Sequence, residues 1–168
     1  FNGLKALLVE DNEINQQIAV ELMEDKAIQV TVANNGLEAL ETLEKGESHF
    51  DIIFMDLQMP IMDGYEASRR IRANKIYDDI PLVAMTAHAM VEERERCLNL
   101  GMNEHVSKPI DPEVLYSTIK RCCIDKIQQN ESNELYIESP VISHDAAIVG
   151  GHSIYDIELL DAKSGLMR

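Results

Sequence analysis

The chain has 168 residues, 45% of them hydrophobic, and a formal net charge of −15, enough for one domain of ordinary size plus a modest extension. Such an excess of carboxylates argues against nucleic acid and anionic membrane surfaces as partners, because both are bound through clustered Lys and Arg. No apolar stretch approaches a bilayer span, nothing resembles a secretory signal, and Cys97, Cys122 and Cys123 show neither a CxxC pair nor a framework spacing, which fits a reducing cytoplasm.

Strand-like apolar runs alternate with helix-period segments as far as about residue 123, the pattern of a parallel α/β sheet. Leu4 to Val9 predicts a first strand. The helix after it, with Asn12 as N-cap, carries Ile14, Ile18 and Leu22 on one face. Val30 to Val32 predicts a second strand, followed by a helix with Leu37, Leu40 and Leu43. Ile52 to Met55 is the third strand, and a helix from about Gly64 carries Ala67 and Ile71. Leu82 to Met85, opened by Pro81, is the fourth, and the helix that follows ends at Gly101, a good C-cap residue. A short fifth strand around His105-Val106 precedes a helix with Leu115, Ile119 and Cys122 on its buried face.

Five βα units of this size predict an open, doubly wound five-stranded parallel sheet whose ligands bind outside the carboxyl ends of the strands. Beyond Ile124 the chain turns polar, and Gln128 to Glu134 reads as a linker. The expected organisation is a domain over 1–124, a polar linker over 125–143 and a partial segment over 144–168. The ends, Phe1 and Gly165-Leu166-Met167-Arg168, suggest a piece of something longer.

The chemistry gathers at the predicted strand ends. Glu10 and Asp11 end the first apolar run, Asp56 the third and Thr86 the fourth, and Lys108-Pro109 follows the fifth. Three carboxylates brought close together repel one another unless a cation sits among them. Hard oxygen ligands with no Cys or His nearby favour Mg²⁺, with Mn²⁺ as a substitute. Acid pair, acceptor aspartate, hydroxyl and lysine describe a site that takes a phosphoryl group, where positioning and charge neutralisation do most of the chemistry. Any one acidic loop residue alone would more often be solvated surface. The run Glu92-Glu93-Arg94-Glu95-Arg96 reads as the solvated face of a helix, and the methionines at 55, 59 and 62 as packing and turn residues.

Val9-Glu10-Asp11-Asn12, Met55-Asp56-Leu57-Gln58-Met59-Pro60, Met62-Asp63-Gly64, Ala84-Met85-Thr86-Ala87 and Ser107-Lys108-Pro109 resemble the motifs of the response-regulator receiver domain of two-component signalling. The resemblance covers residues 4 to about 123 and implies strand order 2-1-3-4-5. It implies that Asp56 accepts a phosphoryl group from a phosphohistidine on a kinase or phosphotransfer domain. Glu10, Asp11, Asp56 and the backbone carbonyl of Gln58 would surround Mg²⁺, Lys108 would pair with Asp56, and Thr86 would turn inward to the phosphoryl group. The Lys108-Pro109 bond is a candidate for cis geometry.

The family's usual Tyr or Phe three residues before the lysine is replaced by His105, which bears on switching. Gln58 and His88 fall beside the phosphoryl group in the family, where they would tune its lifetime. Finer features, including Ser107-Lys108-Pro109-Ile110 and the stretch Leu160 to Leu166, are similar to receivers inside hybrid sensor histidine kinases. A cytoplasmic location, with the parent kinase anchored in a membrane or not, and a weak homodimer are compatible with this reading. The alternatives are a stand-alone response regulator and a pseudo-receiver that only binds partners. A haloacid-dehalogenase-type phosphatase needs a second Asp at position 58, where Gln stands.

Overall fold

The computed structural model describes residues 1–88 and 90–137; the expected segment over 144–168 lies outside the described residues. In chain order the elements are β1 (Lys5–Val9), α1 (Glu13–Glu24), β2 (Gln29–Ala33), α2 (Gly36–Lys45), β3 (Ile52–Asp56), α3 (Gly64–Ala73), β4 (Leu82–Thr86), α4 (Val91–Asn99), β5 (Glu104–Ser107), α5 (Pro112–Cys122) and α6 (Ile124–Ile137). The five strands form one sheet in the order β2-β1-β3-β4-β5, and every neighbouring pair is parallel. The order reverses between β1 and β3, so a crevice opens where their carboxyl ends diverge.

Side chains on successive residues of a strand point to opposite faces, and both faces of this sheet are covered. One face packs Leu7, Val9, Ile53, Met55, Leu82 and Ala84 against Ala39 and Leu43 of α2, Ala67 and Ile71 of α3 and Cys97 of α4. The other packs Ala6, Leu8, Phe54, Val83, Met85 and Val106 against Ala19 and Met23 of α1 and Leu115 and Ile119 of α5. Double burial explains why β3 and β4 read as unbroken apolar runs: all five residues of each are buried. Below the sheet, the half-buried Arg72 guanidinium donates to the carbonyls of Gly101, Tyr77 and Ile80 and to Asn103 Oδ1, tying α3 to the segments that launch β4 and β5.

Caps lie where small polar residues predict them. Asn12 Oδ1 accepts from the amides of Ile14 and Asn15, Asp63 from Glu66 and Asp111 from Glu113. The Lys108-Pro109 bond is cis.

Two expectations need correction. In α1 the buried residues are Ala19 and Met23, whereas Ile14 and Ile18 are 69% and 45% exposed. Helical periodicity yields two apolar stripes here, and Ala19 and Met23, flanked by the half-buried Val20 and Leu22, are the side of α1 that packs on the sheet. The second correction concerns residues 124–137, which include the start of the expected linker and form helix α6. The stretch holds neither Gly nor Pro, and three contacts dock it: Lys126 Nζ pairs with Asp51 Oδ1 at 2.7 Å, Ile127 packs on the α1/α5 face, and Asn130 Nδ2 donates to the Asn2 carbonyl. Asp51 also accepts from the Lys5 amide through Oδ2, so one carboxylate joins the starts of β1 and β3 to α6.

The orientation of α1 can be tested by truncation. Met23→Ala is expected to cost about 3 kcal/mol in urea unfolding, whereas Ile14→Ala stays within about 0.5 kcal/mol of the parent. Equal losses would mean that the outer stripe is buried.

Candidate functional site

Four strands deliver the site. Glu10 follows β1, Asp56 ends β3, Thr86 ends β4 and Lys108 follows β5 at the next residue. Backbone hydrogen bonds hold these ends in place: the Glu10 amide donates to the Ala33 carbonyl at 3.1 Å and the Lys108 amide to the Thr86 carbonyl at 2.8 Å. Gly64 makes the close turn behind Asp56 feasible, since a Cβ there would lie 2.1 Å from the Asp56 carbonyl oxygen.

Glu10 and Asp56 are buried and Asp11 is exposed at the rim, and each offers one carboxylate oxygen within 4.8 Å of the others. Lys108 Nζ lies 2.5 Å from Glu10 Oε2 and 3.2 Å from Asp56 Oδ2. Glu10 Oε1 accepts from the Asn12 amide, and Asp56 Oδ1 from the Gln58 amide at 3.3 Å. Glu10 Oε2 is buried without a well-directed hydrogen bond, so the ammonium alone meets its charge there. A buried oxygen short of partners beside two further carboxylates, with no Cys or His among the donors, is a set of hard ligands suited to a small divalent cation.

Burial, and then repulsion from Glu10, push the Asp56 carboxyl up to about 6, against the opposing pull of Lys108. For Lys108, burial works against the charged form, but Glu10 and Asp56 outweigh it and its pKa is raised. The ammonium therefore stays charged wherever the carboxylates do.

Asp56, Gln58, Thr86, His88 and Lys108 line one cavity of about 120 Å³. Thr86 is buried, and its Oγ1 donates to the His88 carbonyl at 2.9 Å and accepts from the His88 amide at 3.0 Å. His105 is not brought to this cavity. It is half-buried on β5, where it lines a different cavity of about 110 Å³ with Cys97, Met102 and Glu104.

Glu93 is a residue that sequence reasoning missed. It lies within the charge run of α4, yet it lines the Asp56 cavity and accepts a hydrogen bond from the Tyr65 hydroxyl at 2.5 Å. Burial, and then Glu93, push the Tyr65 hydroxyl up to about 12, so it stays a donor. The signal that could have found Glu93 is its place in the first turn of the helix that follows a site-bearing strand.

The geometry agrees with the comparisons. A model of the response regulator receiver domain matches residues 6–120. The chain belongs to that family. This receiver is 42% identical over 137 residues to hybrid signal transduction histidine kinase K of Dictyostelium discoideum, covering 77% of the chain and 11% of that protein. It is 37% identical over 118 residues to the sensor histidine kinase RcsC of Escherichia coli strain K12, covering 70% of the chain and 12% of that protein. The receiver thus spans about a tenth of the length of these relatives. Among solved structures it is similar to the receiver domain of a sensor histidine kinase from Pseudomonas aeruginosa PAO1 with a magnesium ion in its active-site cleft (36% identity, TM-score 0.66, covering 72% of this chain and 98% of that one). It is also similar to a Saccharomyces cerevisiae response-regulator receiver crystallised with a histidine phosphotransfer protein (29% identity, TM-score 0.69, covering 75% of this chain and 92% of that one).

The raised Asp56 pKa has a stability consequence whose sign follows from linkage. Between its ordinary value of 3.8 and about 6 the folded state holds a proton that the unfolded chain has lost, so stability falls as pH rises through that window. Without divalent cations, Asp56→Asn is expected to be more stable than the parent at pH 7 by about 2 to 3 kcal/mol, at about 1.4 kcal/mol per unit. The difference should vanish below pH 4, and urea unfolding at pH 4 and 7 measures it.

Proposed function

We propose that this receiver takes a phosphoryl group onto Asp56 from a phosphohistidine, acting as a relay or switch in two-component signal transduction. The observation that carries the reading is the buried Asp56 carboxylate, paired with Lys108 and grouped with Glu10 and Asp11 at the crevice between β1 and β3. In the transfer an Asp56 carboxylate oxygen attacks phosphorus. A new O–P bond forms as the P–N bond to the donor imidazole breaks, and the imidazole leaves with the electron pair.

Glu10, Asp11, Asp56 and the carbonyl of Gln58 would hold Mg²⁺, with Mn²⁺ able to substitute. When bound, the ion neutralises charge on the phosphoryl oxygens. Lys108, already 3.2 Å from Asp56, would then turn to those oxygens as well. To donate to the phosphoryl group, Thr86 would give up the hydrogen bond that its Oγ1 donates to the His88 carbonyl, which would couple acyl-phosphate formation to a move of the β4–α4 loop. Gln58 and His88, on the wall of the same cavity, would control access of the hydrolytic water and so the lifetime of the acyl phosphate. His105, lining a neighbouring cavity, would relay the Thr86 move toward the α4–β5 surface.

The relatives favour a hybrid sensor histidine kinase as the parent protein, and a cytoplasmic location for the receiver is part of the same proposal. The yeast complex supports a phosphotransfer domain as the partner.

Incubation with phosphoramidate and Mg²⁺ should label Asp56 stoichiometrically by intact-mass measurement, and Asp56→Asn should take no label. An unlabelled parent would favour a pseudo-receiver. Mg²⁺ at a hundredfold excess over its Kd should raise the parent's stability by about 2.7 kcal/mol, and Asp11→Asn should abolish most of that gain. Decay of radiolabelled protein tests the lifetime role, and unchanged half-lives in both Gln58→Ala and His88→Ala would remove these two side chains from it.

A further inference from the structure

The first turn of helix α4 carries two acidic residues, and they differ in burial. Glu92 is exposed, whereas Glu93 is half-buried on the wall of the cavity that holds Asp56, Thr86, His88 and Lys108. A carboxylate on a flexible stem would normally swing away from a neighbouring negative site. This one is held: Tyr65, on α3, donates to Glu93 Oε1 at 2.5 Å. The Tyr65 ring is itself clamped by Arg96, whose guanidinium carbon lies 3.7 Å from the ring centroid. Two side chains, Tyr65 on α3 and Arg96 on α4, therefore keep the Glu93 carboxylate at the cavity wall.

The cation nearest that cavity is not free to offset it. Lys108 is engaged with Glu10 at 2.5 Å and with Asp56 at 3.2 Å. Among the side chains lining the 120 Å³ space, a phosphodonor thus meets the carboxylates of Asp56 and Glu93 and the one ammonium of Lys108, while the Arg96 guanidinium lies against Tyr65 and does not line the space. The penalty grows with the donor's own negative charge, since Coulomb repulsion scales with the product of charges and is weakly screened in a partly buried cleft. An acyl phosphate enters as a dianion. An N-phosphoryl donor protonated on nitrogen carries one net negative charge.

We propose that Glu93, held by Tyr65, is a specificity residue that disfavours dianionic acyl-phosphate donors relative to N-phosphoryl donors. This rests on Asp56 being the phosphoacceptor. It gives the receiver a means to ignore small phosphorylated metabolites while accepting a phosphoryl group from a histidine. With either donor the balance is the same: an Asp56 oxygen forms the new bond to phosphorus. The leaving group, acetate from acetyl phosphate or ammonia from phosphoramidate, departs with the electron pair of the broken bond.

The test compares labelling rates of the parent, Glu93→Gln and Tyr65→Phe with acetyl phosphate and with phosphoramidate, at constant Mg²⁺ and two ionic strengths. At low ionic strength Glu93→Gln is expected to gain about fivefold with acetyl phosphate and about twofold with phosphoramidate, and both gains should shrink at high salt. Tyr65→Phe, which keeps the ring and frees the carboxylate, should move the donor ratio in the same direction by a smaller factor. An unchanged donor ratio in Glu93→Gln, including equal acceleration with both donors, would overturn the inference, because a merely structural effect does not depend on donor charge. Absence of label on the parent would overturn the phosphoacceptor reading and this inference together, whereas a labelled parent with an unchanged ratio overturns this inference alone.

Discussion

One ammonium shared between two buried carboxylates governs this receiver. Lys108 meets Glu10 and Asp56 together, and Asp11 adds a third negative group at the rim. Burying unbalanced charge is costly, and the fold answers with backbone amides: Asn12 donates to Glu10 and Gln58 to Asp56. Even so, burial and then repulsion from Glu10 keep the Asp56 pKa raised. The remaining negative charge suits the site to a small divalent cation. A neutral, fully satisfied cluster would be more stable and chemically idle.

Such a cluster persists because the frame beneath it has little freedom. β1 and β3 are adjacent central strands covered on both faces, and Asp56 is the last residue of β3, so its backbone is positioned before its side chain meets any partner. Close packing resists displacement of any one strand, since shifting it would open voids on two faces at once. The loops above the sheet carry the adaptable groups, and the end of β3 carries Asp56.

The sheet was legible in the sequence because doubly buried parallel strands write themselves as continuous apolar runs. The convergence of Glu10, Asp56, Thr86 and Lys108 was legible for the same reason, since each stands at or just beyond the end of such a run. What could not be read was set by tertiary contact. Ile14 and Ile18 have the same helical spacing as Ala19 and Met23, and only the packing of α1 against the core of the sheet decides between the two stripes. The polarity of residues 125–137 suggested a linker, but Lys126 meets Asp51 some seventy-five residues away in sequence, a partner that no local pattern reveals. Glu93 looks like any exposed acid until the Tyr65 hydroxyl, supplied by another helix, is seen to hold it.

The Thr86 hydroxyl already has both a donor and an acceptor partner in the His88 backbone. A neutral hydrogen bond contributes about 1 kcal/mol net, so an anion in the cavity must outcompete the bond that Thr86 donates to the His88 carbonyl, about 1 kcal/mol, before the loop responds. An inorganic anion that drifts in and out offers no lasting compensation, whereas a phosphoryl group covalently held on Asp56 would stay in place for the whole life of the acyl phosphate. On the proposed reading, the small self-satisfied turn at the end of β4 would act as a noise filter, leaving the loop deaf to transient anions and responsive to a persistent chemical mark.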